Sequence, residues 1–400
     1  MLSIAQTASV IQYILMDFAP RPGGYNRWLS YRVLKYVAPA MAALALSGIR
    51  PSSSTGDAFH LEGAGINSSA GLVADPTIAQ AEMTKLNELG GDTVEISIPY
   101  TQGGVDVIND QLDICNVVNA AVSAGKDIVL RDQDHFRNGD LGYVPSSATQ
   151  LFHLYTRDIA LVETLVGPNG CAKGLKNIYY SPGNELNNPS PQFNPDQADA
   201  PEQFVNLYRY LNHLLPKEAA ERGLKLQIVI GELAQRNAVT FLTDVKQIMI
   251  SEGLTGSMLG SVNSIHYYFN GGDANSAQSA DNYLKVVKTA LNDTFGSMDS
   301  WVTEAGEIST VPTSMLGRYT PLPSSIKPVS PEQQGKDISS FMFDAAKRGF
   351  TMVLNEQMQD DGTNLRTGLI YNDSLSVTDG TEKASFEIVQ NAIKQLVSQK

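Results

Sequence analysis

The chain has 400 residues, 42% hydrophobic and 18% charged, with 29 Lys and Arg against 42 Asp and Glu, a net charge of −13. That much apolar material buries a large core and excludes disorder as the main state, while the surplus of carboxylates argues against a nucleic-acid partner, which clustered Lys and Arg would have to meet. Two cysteines cannot build a disulfide framework, no C-x-x-C or H-E-x-x-H is present and the five histidines are scattered, so neither a metal nor a cofactor is expected.

Residues 1–57 run against the overall charge, with Arg21, Arg27, Arg32, Lys35 and Arg50 facing only Asp17 and Asp57. Arg27, Arg32 and Lys35 precede the apolar run Val37–Leu46, and Ser47, Gly48 and a Ser/Pro linker from Pro51 follow it. A basic start, a short apolar run and small residues are the parts of a secretory signal, and the run is short for a membrane span. The expectation is a leader and linker at 1–57, with its signal-like part at about 27–50, and a secreted or periplasmic domain at 58–400. An uncleaved membrane anchor and a helix packed on the domain are the alternatives.

Beyond the linker, short β-branched runs alternate with longer segments of helical period. Strands are predicted at Phe59–Ile66, Thr93–Ile98, Asp127–Arg131, Asn177–Ser181, Leu226–Ile230, Val262–Tyr268, Trp301–Glu304 and Thr351–Leu354. Helices are predicted at 77–89, 107–124, 147–166, 201–222, 238–253, 279–294, 331–348 and 382–398, several closing on glycine. Eight such pairs imply a single α/β domain, a (β/α)8 TIM barrel. Chemistry in that fold sits at the C-terminal ends of the strands. Those ends collect Asn67, Tyr100, His135, Asn184 with Glu185, Glu232, His266 with Tyr268, Glu304, and Asn355 with Gln357. The ring is rich in carboxylates and amides. It has no lysine placed for a Schiff base and no Gly-rich phosphate turn after the last two strands, which disfavours an aldolase or phosphosugar isomerase.

Strand four ends in Ser181-Pro182-Gly183-Asn184-Glu185 and strand seven in Thr303-Glu304-Ala305-Gly306. These motifs resemble the retaining glycoside hydrolases of clan A, the cellulase-like superfamily of barrels, over about residues 58–400. Asp134-His135 after strand three, His266-Tyr267-Tyr268 on strand six and Gly368-Leu369-Ile370-Tyr371 before the last helix extend the likeness. The resemblance implies that Glu304 is a nucleophile and Glu185 the general acid/base, that Asn184 meets the sugar 2-hydroxyl, and that His135, His266 and Tyr268 serve the substrate; Asn355, at the end of strand eight, is a candidate substrate contact by its position. Such a reaction needs two carboxylates about 5 to 5.5 Å apart, one held ionised and one able to carry a proton. Residues of equal parity share a strand face. Tyr268 is therefore expected beside His266 as a donor to Glu304, and Tyr267 is expected in the helix layer.

Two positions depart from the clan pattern. Many members carry an Arg on strand two, where this chain has Glu95, and a Trp on strand eight, where it reads Leu354-Asn355-Glu356-Gln357. Arg131 at the end of strand three is a candidate replacement cation, pairing with Glu95 and lying near Glu304. Glu232 and Glu307 are read as supporting or subsite groups. Long loops follow Glu185 and Glu307, and Phe193 and Tyr319 on them are candidate sugar platforms. Amides and tyrosines outnumber cations around the ring, so a neutral oligo- or polysaccharide is the expected partner; Arg131, Arg137 and Arg318 keep a uronate open. The competing readings are a catalytically silent barrel that binds glycan or protein, and a barrel hydrolase or lyase without a covalent intermediate. Cys115 and Cys171 are expected to be free buried thiols, with a disulfide as the alternative.

Overall fold

Eight parallel strands pair in chain order, and the last hydrogen-bonds to the first, closing a barrel. The computed structural model describes residues 61–68, 76–98, 107–132, 164–165, 170–172, 175, 177–187, 199–269, 277–324, 326–360, 366–371 and 380–397. The chain divides into two units. Residues 1–58 with 147–149 form one, which lies outside the described residues together with the leader expected at 27–50. Residues 59–146 and 150–400 form the other, which holds the barrel.

The strands are β1 (Gly63–Ser68), β2 (Thr93–Ile98), β3 (Asp127–Asp132), β4 (Asn177–Ser181), β5 (Lys225–Leu233), β6 (Val262–Tyr268), β7 (Asp299–Gly306) and β8 (Met352–Glu356). Among the described residues the helices are α1 (Pro76–Leu89), α2 (Val107–Ser123), α3 (Ala200–Glu221), α4 (Ala238–Glu252), α5 (Ala277–Phe295), α6 (Pro331–Lys347) and α7 (Ala384–Val397). Most of the helix expected at 147–166 lies outside them. None of the described helices is long and apolar enough to cross a membrane. The first strand begins four residues later than its hydrophobic pattern predicts.

Both faces of the strands are buried, as a parallel sheet wrapped in helices requires. Val129, Val229, Val262, Trp301, Met352 and Leu354 fill the barrel interior with Tyr179 against them. The rings of Tyr179 on β4 and Trp301 on β7 meet edge to face at 4.6 Å, which shows that these two strands face each other across the barrel. Residues of the other parity, such as Ile128, Ile178, Ile228 and Val353, are buried against the helices. Tyr267 joins them as expected, stacked on Phe341 of α6 at 4.7 Å. β1 runs so close to β2 that a Cβ on Gly65 would lie 1.7 Å from the Thr93 carbonyl oxygen, so only glycine fits there.

Three register shifts interrupt the barrel, all toward the C-terminal ends of strands: in β5 between Ile230 and Leu233, at β6/β7 between Ile265 and His266, and in β7 between Val302 and Ala305. A bulge reverses the parity of everything after it. Trp301 and Val229 point into the barrel, and so do Glu304 and Glu232, three residues further on. Regular strands would have sent both acids outward.

The cysteines correct the expectation of free thiols. Cys115 on α2 and Cys171 are joined in a disulfide, with Cα atoms 5.4 Å apart. The turn before β4 folds back on itself, Cys171 and Ala172 donating their N–H groups to the Thr164 and Leu165 carbonyls, and this carries Cys171 to the helix. A sequence separation of 56 hid the pairing. Closing a loop of that length restrains the unfolded chain by about 4 kcal/mol. Replacing both cysteines with serine should lower stability by up to that amount, read as an earlier midpoint in urea; an unchanged midpoint would show that the crosslink contributes nothing.

Candidate active site

The C-terminal mouth of the barrel gathers five carboxyl groups around one guanidinium. Arg131 shares the inward face of β3 with Val129 and is 3% exposed. Its Nη1 lies 3.1 Å from Glu95 Oε1 and donates to Glu304 Oε1, and its Nε is 3.7 Å from Glu232 Oε2. The replacement cation expected from the sequence is therefore in place: Glu95 on β2 stands where it can pair with an arginine supplied by β3.

Glu304 is held from three sides. Arg131 donates to one oxygen and the Tyr268 hydroxyl to the other, while His266 Nδ1 lies 3.1 Å from Oε2. Burial pushes this carboxyl up, but Arg131, His266 and the hydrogen bonds outweigh it and hold the group ionised, at about 2.

Glu185 arrives by a different route. After β4 the chain turns irregularly, and Glu185 adopts φ 52° with its N–H donating 2.8 Å to the Glu232 carbonyl oxygen. Asn187 locks this turn, donating to the carbonyls of Ala234 and Arg236 and accepting from the Ala234 N–H. Glu232 itself has φ 45°, following Gly231 at φ 105°. Left-handed backbone at a non-glycine residue costs of order 1 kcal/mol or more. Three of the four such residues described, Glu185, Glu232 and Gln357, stand at or just past the C-terminal ends of β4, β5 and β8.

The Glu185 and Glu304 side chains meet over His266, whose Nδ1 is 3.2 Å from Glu185 Oε1. One ligand-type atom from each of Glu185, His266 and Glu304 lies within 4.8 Å of the others. Glu185 is the more open of the two acids, its side chain 26% exposed against 7% for Glu304. Burial draws the His266 imidazole down, yet Glu304 and Glu185 together raise it. Three such groups are also a donor set for a metal ion, but both oxygens of Glu304 already accept from Arg131 and Tyr268, and a second cation beside that guanidinium would be repelled. We read the trio as an acid pair with an orienting imidazole.

The remaining acids are pushed toward their neutral forms, because several carboxylates this close cannot all ionise. Burial, then Glu232, raises Glu95 well above the carboxylate range. Burial takes Glu232 to about 7, against the pull of Arg131 and His266. Burial and then Glu304 take Glu356 to about 8. Glu307 lies away from this cluster, on the α6 side, where burial and Asp337 push it to about 9.

Several expected site residues stand elsewhere. Asn355 is of opposite parity to Met352 and Leu354 and turns away from the mouth, its amide donating to the carbonyls of Glu356 and Gln357. It shapes the end of β8, and Glu356 takes the inward position. Counting by twos from Leu354 would have found this. Tyr319 is 6% exposed, with its hydroxyl on Asp360 Oδ2 at 3.0 Å and the Arg366 guanidinium over its ring at 5.1 Å. It is thus a buried staple between the loops after β7 and β8, which Lys383 tightens by donating to Ser309, Asp360 and the Gly368 carbonyl. Asn184 lies beside Glu185, its Oδ1 buried without a hydrogen-bond partner. Tyr100, His135 and Phe193 lie outside the described residues, and of Asn67 only the backbone is described.

The sequence matches no family model and no curated protein. Among solved structures, the fold is similar to a GH5-4 broad specificity endoglucanase from Clostridium longisporum, with a TM-score of 0.59 and 12% identity over 84% of this chain and 97% of that one. It is similar to GH5_18 from Streptomyces cattleya in complex with GlcNAc, with a TM-score of 0.59 and 14% identity over 86% of this chain and 82% of the other. A monomeric beta-xylosidase from Caulobacter crescentus gives a TM-score of 0.55 and 14% identity over 84% and 68%. At these identities the likeness establishes the fold, a (β/α)8 barrel.

Proposed function

We propose that this chain is a retaining β-glycoside hydrolase in which Glu304 is the nucleophile and Glu185 the general acid/base. The observation that carries the reading is the pair itself: two glutamates from strands that face each other, with oxygens within 4.8 Å, Glu304 buried and held as an anion and Glu185 the more open. That gap suits direct attack on the anomeric carbon and leaves no room for the water an inverting enzyme holds between its acids. The solved structures of similar fold named above are glycosidases and point the same way.

In the first step a Glu304 oxygen attacks the anomeric carbon as Glu185 gives its proton to the departing glycosidic oxygen, forming a glycosyl ester and a free alcohol. Glu185, now a carboxylate, takes a proton from water in the second step; the water oxygen bonds to the anomeric carbon and Glu304 leaves as carboxylate. Arg131 and Tyr268 hold Glu304 still and ionised between turnovers, and His266 Nδ1 bridges the two acids. The openness of Glu185 suits a group that must meet both leaving group and water. Asn184, with its unpartnered oxygen, accepts from the sugar 2-hydroxyl.

The substrate is a neutral oligo- or polysaccharide: among the described residues Arg131 is the arginine beside Glu304, it is already committed to Glu304 and Glu95, and the other charged groups gathered there are mostly carboxyls. The protein is exported through its leader, and the Cys115–Cys171 disulfide fits an oxidising compartment.

Aryl β-glycosides of neutral hexoses and pentoses, with neutral polysaccharides, test the reading. Turnover should release the β-anomer first in the NMR spectrum; an α-anomer would overturn retention, and saturable binding without turnover on every substrate would favour a silent glycan-binding barrel. Glu185→Ala should slow hydrolysis of glycosides with poor leaving groups by about 10² to 10⁴ and of an activated aryl glycoside far less. Equal losses on both would remove Glu185 as the acid.

A further inference from the structure

Glu356 occupies the inward end of β8 and is 7% exposed, its Oε2 buried without a hydrogen-bond partner. Its carboxyl reaches the hydroxyl of Tyr268, the same hydroxyl that donates to Glu304. Gly306 makes that approach possible. A Cβ at that position would lie 3.1 Å from both Glu356 Oε2 and Tyr268 Cε1, so the glycine of the Thr-Glu-x-Gly motif leaves room for the Glu356 carboxyl beside the edge of the Tyr268 ring.

A phenol has one proton to give. Tyr268 spends it on Glu304, so its oxygen can meet Glu356 only as an acceptor. An ionised Glu356 would oppose lone pairs across a buried contact, with a second buried oxygen unsatisfied, whereas a carboxylic acid supplies the missing proton. We infer that Glu356 is a positioning residue that works as a neutral acid, donating to Tyr268 so that the phenolic proton stays on the nucleophile Glu304. The chain of donors runs Glu356 to Tyr268 to Glu304.

The groups facing Glu356 agree with this. Burial and then Glu304 on β7 oppose its ionisation; the hydrogen bond with Tyr268 and the charges of Arg131 on β3 and His266 on β6 favour it without overcoming them, which together leave the acid at about 8. Glu95 on β2 is itself held toward its neutral form and adds no cation. As pH rises through that range Glu356 ionises, competes for the phenolic proton and withdraws support from Glu304. Activity should therefore fall on the alkaline side.

The inference rests on the proposed nucleophile only for its kinetic readout, so the decisive measurement is spectroscopic. Infrared difference spectra of the full chain, wild type minus E356Q, should show a protonated-carboxyl stretch at about pH 6 that converts to carboxylate near about pH 8. Carboxylate bands at pH 6 in that difference would overturn the proposal. Tyr268→Phe, which removes the acceptor but keeps the ring, should shift the frequency of the Glu356 band; an unmoved band would show that no such hydrogen bond exists. In kinetics, E356Q keeps a weaker donor and should lower kcat by about threefold near neutrality while flattening the alkaline limb. A limb unchanged in E356Q would also overturn the proposal. Absence of glycosidase activity in the wild type would sink the catalytic reading while leaving the infrared result to judge this one.

Discussion

Glu304→Gly abolishes turnover, by about 10⁵-fold or more, and added azide restores part of it on an activated aryl glycoside, with inverted product. The loss follows from the geometry. Among the described residues no other carboxylate is both ionised and aimed at the space beside Glu185, since Glu95, Glu232 and Glu356 are pushed toward their neutral forms. The rescue follows from the cavity the substitution leaves, in which a small anion can lie against Arg131, Tyr268 and His266 and attack the opposite face from the leaving group. The barrel should stay folded, because removing the Glu304 charge makes it easier for Glu95 and Glu232, both beside Arg131, to ionise against it. Kinetics with and without azide, and the anomer of the glycosyl azide, check this. Full activity in the variant would dismiss Glu304 as nucleophile.

Much of this site could be read from the sequence, and what could not has identifiable causes. Hydrophobic runs located all eight strands because both faces of a parallel barrel strand are apolar, and β2, β4 and β6 matched to the residue. Parity placed His266 with Tyr268 and sent Tyr267 into the helix layer because β6 is regular as far as its own side chains go. The same counting fails on β5 and β7, where bulges bring Glu232 and Glu304 inward out of phase with Val229 and Trp301. A bulge is a property of the pairing between strands, and a single strand's pattern does not show it. On β8 parity was available and would have chosen Glu356 over Asn355. The Cys115–Cys171 disulfide and the burial of Tyr319 depend on contacts between segments distant in the chain, which local pattern does not encode.

Arg131→Met tests the other half of the arrangement, because this one cation stabilises the fold and tunes the nucleophile together. Removing it leaves Glu95, Glu232 and Glu304 buried without their countercharge, and breaking a buried pair in this way costs about 3 to 5 kcal/mol. The sign of the pH dependence is fixed. Without the arginine each acid has a folded pKa above its unfolded value, so the folded state binds more protons and stability falls as pH rises above the ordinary carboxylate range. The deficit against wild type should be largest at about pH 8 and shrink toward about pH 5 in urea titrations. Adding Glu95→Gln to Arg131→Met removes one uncompensated acid and should recover a good part of the stability. It should not recover turnover, because Glu304 then rises from about 2 with its ion pair gone, and the acid limb of kcat/KM moves upward with it. Separate recovery of stability and activity is what distinguishes a cation that tunes Glu304 from one that only neutralises Glu95. If Arg131→Met matched wild type in both stability and turnover, the relocated arginine would have no part in the site.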